Sequence, residues 1–156
     1  MTKEDEFQNN HLEHVFDMNL QYSEKAVECA PIGLTEGRII GSGDGFVEGP
    51  DIKGTIRWSN YENTVREGLC KLQIPGTIKT SDGEEMLFEA RGIAAILDKS
   101  QSSKWSAAGV FHFDTGSKKY KWLNTVLAVY EGEFNIEAGH AKYHAYIRRR
   151  FDKTYS

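Results

Sequence analysis

The chain has 156 residues, 39% of them apolar and 12% aromatic, with 15 glycines and a formal net charge of −4 from 23 acidic and 19 basic residues. One core of this size leaves little chain for a second, so one domain and one site are expected. The near balance of charge offers no field of one sign to a polyphosphate backbone or an anionic membrane, which makes nucleic acid and membrane surfaces poor partners.

Residues 1–10 are polar where a secretory signal needs an apolar run, and no 18-residue apolar segment follows. They are expected to form a leader ahead of a domain over 11–150, with a tail over 151–156 and a cytoplasmic location. Leu12, His14, Phe16, Met18, Leu20 and Tyr22 alternate with Glu13, Val15, Asp17, Asn19 and Gln21, a period of two that predicts a strand with one buried face. Between 33 and 58, glycine recurs at 33, 37, 41, 43, 45, 49 and 54, which excludes a helix and predicts sharply bent strands. Runs over 69–79 and 84–93 flank Asp82-Gly83, a tight-hairpin dipeptide. Residues 94–106 have a short helical start and then loop composition, and strands are expected again over 110–115, 120–131 and 140–149. Cys29 and Cys70 lack the spacing of a redox or zinc site and read as buried thiols.

About eight strands with short turns make a sandwich or a barrel, which periodicity does not separate. The segments Gly37-Arg38, Gly45 to Gly54, Asn60-Tyr61, Arg66-x-Gly68, Thr80-x-Asp82-Gly83, Arg91-Gly92, Phe113-Asp-Thr115 and Tyr120-x-Trp-Leu-Asn124 occur in one order along the chain. In that order they resemble an uncharacterised bacterial and fungal family, a domain of unknown function whose members form lipocalin-like (calycin) or allene-oxide-cyclase-like barrels. The resemblance implies an all-β fold, a single closed antiparallel barrel, with structural cousins that include cyclases. The family commonly has Asp-Trp where Asn60-Tyr61 stands here, so a function resting on that Asp cannot be carried by Asn60. An eight-stranded barrel is just wide enough to be filled by side chains or to hold one small ligand.

If 120–126 is a strand, alternation puts Tyr120, Trp122, Asn124 and Val126 on one face. Tyr120 and Asn124 would then polarise a substrate oxygen and Trp122 would stack on a flat ring; the plainer alternative is an aromatic core layer with Asn124 bonded to a backbone turn. Glu89 and Arg91 share a face and could supply a base and an anion clamp, although hydrophobicity favours Met86 and Phe88 inside and the charges in water. Arg38 is a candidate for an anionic ligand end, and Tyr61 for substrate contact by its place in the family pattern. His112 enters the pocket only if Phe111 and Phe113 pack outward. His140 and His144 on one strand stand ~13 Å apart, too far to hold one ion, so no metal is expected. Gly41-Ser-Gly-Asp-Gly45 lacks the helix and Lys of a phosphate loop.

The expected function is a cofactor-independent isomerase, cyclase or lyase acting on a small, partly apolar carbonyl metabolite, hydrophobic or aromatic. The alternative is a barrel that only carries such a ligand. Apolar residues on both faces of 126–130 predict a covered outer wall and a homodimer or higher homo-oligomer.

Overall fold

The computed structural model describes residues 12–24, 27–29, 37–61 and 63–147, with 27–29 as backbone only. The leader and tail assigned from sequence, together with Cys29, lie outside what is described in side-chain detail. The described residues form eleven strands: β1 Glu13–Tyr22, β2 Val27–Cys29, β3 Gly37–Ile40, β4 Ser42–Glu48, β5 Lys53–Ser59, β6 Thr64–Arg66, β7 Leu69–Thr80, β8 Glu85–Ala95, β9 Lys104–Asp114, β10 Ala128–Asn135 and β11 His140–Ile147. Every pairing is antiparallel, in the order β7-β5-β4-β1-β11-β10-β9-β8, and β8 pairs back onto β7 through eleven register positions from Leu69↔Ala95 to Lys79↔Glu85. Eight strands thus close a barrel, as the family pattern predicts. The short strands β2, β3 and β6 extend the sheet from the first residues of β7, where β6 replaces β5 as partner.

Inside, β8 contributes Met86, Phe88 and Ala90 and β9 contributes Phe111 and Phe113, all buried. Their rings form a continuous stack with Phe16, Tyr130 and Tyr143, with centroids 4.8–6.0 Å apart. Each such side chain removed from water is worth roughly 1.5–3 kcal/mol. The strong curvature depends on glycine where strands crowd: a Cβ on Gly43 or Gly45 of β4 would sit about 2 Å from a carbonyl oxygen of β1.

The barrel has two different ends. At one, Gly83 (φ +90°) lets the β7–β8 hairpin turn as Asp82-Gly83 predicts. Here the expected strand over 120–131 is corrected. Residues Lys121–Thr125 form a 3-10 turn and β10 begins only at Ala128, because Leu123 N–H bonds Tyr120 C=O and Val126 N–H bonds Leu123 C=O. That turn buries Leu123 completely, with Tyr120 and Val126 beside it, and plugs the hairpin end. At the opposite, far end, β8 continues to Ala95 and β9 begins at Lys104, so strand replaces the expected helical start at 94–95, while 96–103 is loop with one 3-10 turn at Lys99–Gln101, capped by Asp98. A second correction falls in β1. Its register slips between His14 and Phe16, a bulge that buries both Val15 and Phe16 and turns Leu12 and His14 outward, against strict alternation. Val129 is half-buried and Leu127 exposed on the stretch read as a covered wall.

The hairpin end is held by Asp82. Its carboxylate accepts hydrogen bonds from Thr80 Oγ1 (2.5 Å), Lys119 Nζ (2.5 Å) and Tyr120 OH (3.0 Å), tying the plug to the turn. The Lys119 ammonium first, then the hydroxyls, hold its pKa far below the ordinary carboxylate range. A depressed folded pKa contributes stability above the unfolded value of about 3.9 and loses it as pH falls. Asp82→Asn should therefore lower the melting temperature at pH 7, and the gap to the unmodified protein should shrink as pH drops from about 5 toward 2. Thermal melts across that range check it, and a gap independent of pH would contradict the ionic origin.

Candidate functional site

The residues proposed from sequence fall into three places. Glu89, Arg91 and His112 lie on the outer wall, because Phe88, Ala90, Phe111 and Phe113 take the interior. Arg91 Nε donates to Glu89 Oε1 at 2.8 Å, Gln73 Nε2 donates to the same oxygen at 3.2 Å, and His112 is the register partner of Glu89. Glu89 and His112 border an open outer groove of about 620 Å³ with Arg57, Leu87 and Asp114. This is the arrangement hydrophobicity favours.

Tyr120, Trp122 and Asn124 belong to the plug. They do not share a strand face, which removes the geometric basis for a wall of three. Asn124 Oδ1 accepts Thr115 N–H at 2.8 Å and its Nδ2 donates to Thr115 C=O at 2.9 Å, so one amide replaces a missing strand partner, the plainer of the two readings. Thr115 Oγ1 in turn donates to Glu85 C=O at 2.8 Å. Trp122 is half-buried against the core. Arg38 is exposed on β3, outside the closed strands, and Tyr61 is 60% exposed.

The polar interior lies at the far end, and none of the eight candidates is in it. Between the pairs Ser42↔Ser59 and Arg38↔Thr64 the β5–β6 side carries one extra residue, so Asn60, Tyr61 and Asn63 fall outside the regular ladder. The backbone re-forms around two asparagines: Asn60 N–H bonds Gly41 C=O, Asn63 N–H bonds Asn60 C=O, and Asn63 Oδ1 accepts Gln73 N–H at 2.7 Å in place of a strand. Both asparagines are 2% exposed. Asn60 Nδ2 donates to Tyr22 OH at 2.9 Å, while Asn60 Oδ1 is buried without a partner. Tyr22 packs edge-on against Trp58 at 4.7 Å and lies over Gly41, where a Cβ would meet its ring at 2.4 Å. Tyr22, Trp58, Asn60, Asn63, Phe134 and Tyr143, with aliphatic neighbours, enclose about 10 Å³, the room of one water.

Two further buried polar atoms without partners, Tyr130 OH and Trp105 Nε1, lie on the strands around this half of the barrel. Burial pushes the Tyr22 hydroxyl and the Cys70 thiol each up to about 12 and raises Tyr130 and Tyr143 further. All four groups are neutral at physiological pH: the phenols are hydrogen-bond donors, and Cys70 is no nucleophile. No carboxylate, imidazole or amine lines the cavity among the described residues. Outside the barrel, His14, Asp17 and His144 come together across β1 and β11 as the described cluster able to hold a metal.

A family model described as "Protein of unknown function (DUF3237)" matches residues 10–147. The chain belongs to this family. A search of curated proteins returns no match. Among solved structures, a β-barrel-like protein from Acinetobacter baumannii AYE is 20% identical, with a TM-score of 0.76 over 88% of this chain and 94% of that one. A conserved protein of unknown function from Rhodopseudomonas palustris is 21% identical, with a TM-score of 0.74 over 88% and 97%. An enzyme from Penicillium herquei is 26% identical, with a TM-score of 0.60 over 87% and 93%. These likenesses agree with the DUF3237 barrel, and no helix of the described residues is long and apolar enough to cross a membrane.

Sequence reasoning passed over Tyr22, Asn63 and Tyr143 and treated Asn60 only as a departure from the family pattern. Asn-x-x-Asn ahead of a glycine-bounded strand was the available signal, since paired amides suit a place where a ladder is interrupted. Asn124→Ala should strand both Thr115 backbone groups and cost about 1–3 kcal/mol in urea unfolding. Tyr22→Phe, which keeps the Asn60 amide next to a ring, should cost less.

Proposed function

We propose that the far end of the barrel takes the oxygen of a small, partly apolar carbonyl compound, and that the chain promotes a cyclisation or isomerisation needing only polarisation of that oxygen. The observation that carries this reading is the Tyr22–Asn60 pair, a neutral donor and a buried amide with an unused oxygen, beside a cavity walled by aromatic rings. A buried polar atom without a partner is costly unless something fills its place. An uncharged ligand carrying a carbonyl and a neighbouring hydroxyl on one flat apolar body fits these groups: Tyr22, held protonated by burial, donates to the carbonyl oxygen, Asn60 Oδ1 accepts from the hydroxyl, and Trp58 and Phe134 supply apolar contact. Entry requires Tyr22, half-buried at the rim, to swing off Gly41, since the closed cavity admits only a water.

The lack of an ionisable base at the cavity argues against the lyase or dehydratase chemistry expected from sequence, which needs proton abstraction. It equally favours a second reading, binding without turnover. Turnover is favoured by the likeness to the Penicillium herquei protein, which is described as an enzyme. In either reading the partner is a small metabolite.

Tryptophan fluorescence during titration with 2-hydroxyacetophenone, which offers both a carbonyl and a hydroxyl, and with benzylideneacetone tests the site, because Trp58 touches Tyr22. Saturable quenching is expected, weakened about tenfold by Asn60→Leu or Tyr22→Phe, the equivalent of one lost hydrogen bond. Quenching that neither variant changes would remove the site. E-to-Z isomerisation of benzylideneacetone, read by chromatography, would separate catalysis from carriage.

A further inference from the structure

We propose that the outer face of β1 and β11 holds a divalent transition-metal site of the zinc class, formed by His14, Asp17 and His144. His14 Nε2 lies 2.7 Å and His144 Nδ1 2.6 Å from the same Asp17 oxygen, and the ligand atoms of all three residues fall within 4.8 Å of one another. Two imidazoles and one carboxylate are a donor set that suits Zn²⁺ and its neighbours, leaving a fourth tetrahedral position to water or an outside ligand.

The arrangement depends on a backbone irregularity. Residues 14 and 17 of a regular strand point to opposite faces, so they could not meet. The bulge at Val15 shifts the register by one and brings His14 onto the outer face with Asp17. Asp17 is directly opposite His144 in the β1–β11 register, and Tyr146, partner of His14, packs its ring 5.7 Å from the imidazole. The strands therefore fix all three ligands, with no loop among them.

The surroundings suit a cation. Asp17 is the register partner of Glu48 on β4 and His144 that of Glu131 on β10, so the ligand row is flanked by a carboxylate on each side; Lys53, which pairs with Glu48 at 3.5 Å, is the nearby cation on the β4 side. The hydrogen bond with His144 first, and then that with His14, holds the Asp17 carboxyl below the usual carboxylate range. Metal–ligand bonds of about 2.0–2.2 Å in a tetrahedron separate ligand atoms by about 3.3 Å. To admit the ion, each imidazole would back off Asp17 by less than about 1 Å while the two ring nitrogens, within 4.8 Å of each other, close to about that separation.

Calorimetric titration of Zn²⁺ into the full chain, free of affinity tag and stripped with EDTA, tests this. One saturable ion per chain is expected at pH 7.5, at least about tenfold weaker in His144→Ala and in the nearly isosteric Asp17→Asn. His112→Ala and His140→Ala, exposed histidines elsewhere, should bind as the unmodified protein does. Co²⁺ in place of Zn²⁺ should give visible absorption bands that disappear in Asp17→Asn, a signature that a purely structural hydrogen bond would not produce. No saturable binding, or equal losses in His140→Ala and His144→Ala, would overturn the site.

Discussion

The pairing of β8 onto β7 is the constraint from which the rest follows. Closure leaves the eight barrel strands without an edge and with only two faces, inside and outside, between which alternation divides their residues wherever the ladder is regular. Within eight strands the interior is filled by side chains. Phe88, Ala90, Phe111 and Phe113 point into it, so their sequence neighbours Glu89, Arg91 and His112 are sent to the outer wall whatever chemistry they could perform. An interior charge would need a partner that this packed aromatic centre does not provide.

Polar chemistry inside is therefore confined to places where the ladder is interrupted. At the hairpin end, the interruption after β9 is closed by Asn124 on Thr115 and by Leu123 as a plug, with every relevant amide atom used. At the far end, Asn60, Tyr61 and Asn63 fall outside the ladder and the two asparagines repair it incompletely, since Asn60 Oδ1 is left over. The same residue type thus does two jobs: a saturated amide is a structural clip, and an amide with a spare acceptor beside a raised-pKa phenol can bind a ligand.

Much of the barrel was legible in the sequence. Alternation in β1, β8 and β11, the turn at Asp82-Gly83 and the glycine-rich bent strands all reflect local rules of period two and positive φ, and the ordered family pattern resolved barrel from sandwich. What failed has a common cause. Tyr120 to Val126 alternates as well as a strand does, yet its inward residues serve a 3-10 plug whose bonds are local and whose apolar target, the barrel mouth, exists only after closure. Tyr22, Asn60 and Tyr143 converge from β1, the bulged segment after β5, and β11; no spacing along one chain segment encodes that meeting. Arg38 and Tyr61 follow the family pattern, but their side chains point away from the closed interior.

The bulge at Val15 shows the same principle from outside. Along β11, His140 and His144 are too far apart to act together, while His144 meets Asp17 across the register on β1. In the sequence His14-Val-Phe-Asp17, two successive apolar residues interrupt the alternation, and the fold answers by burying both and presenting the flanking polar pair on one side. An interruption of period two between polar residues is thus a readable sign that side chains three apart can meet, on a strand as they do on a helix. In this barrel such irregularities, inside at Asn60 and Asn63 and outside at Val15, are where the uniform scaffold acquires groups able to bind something.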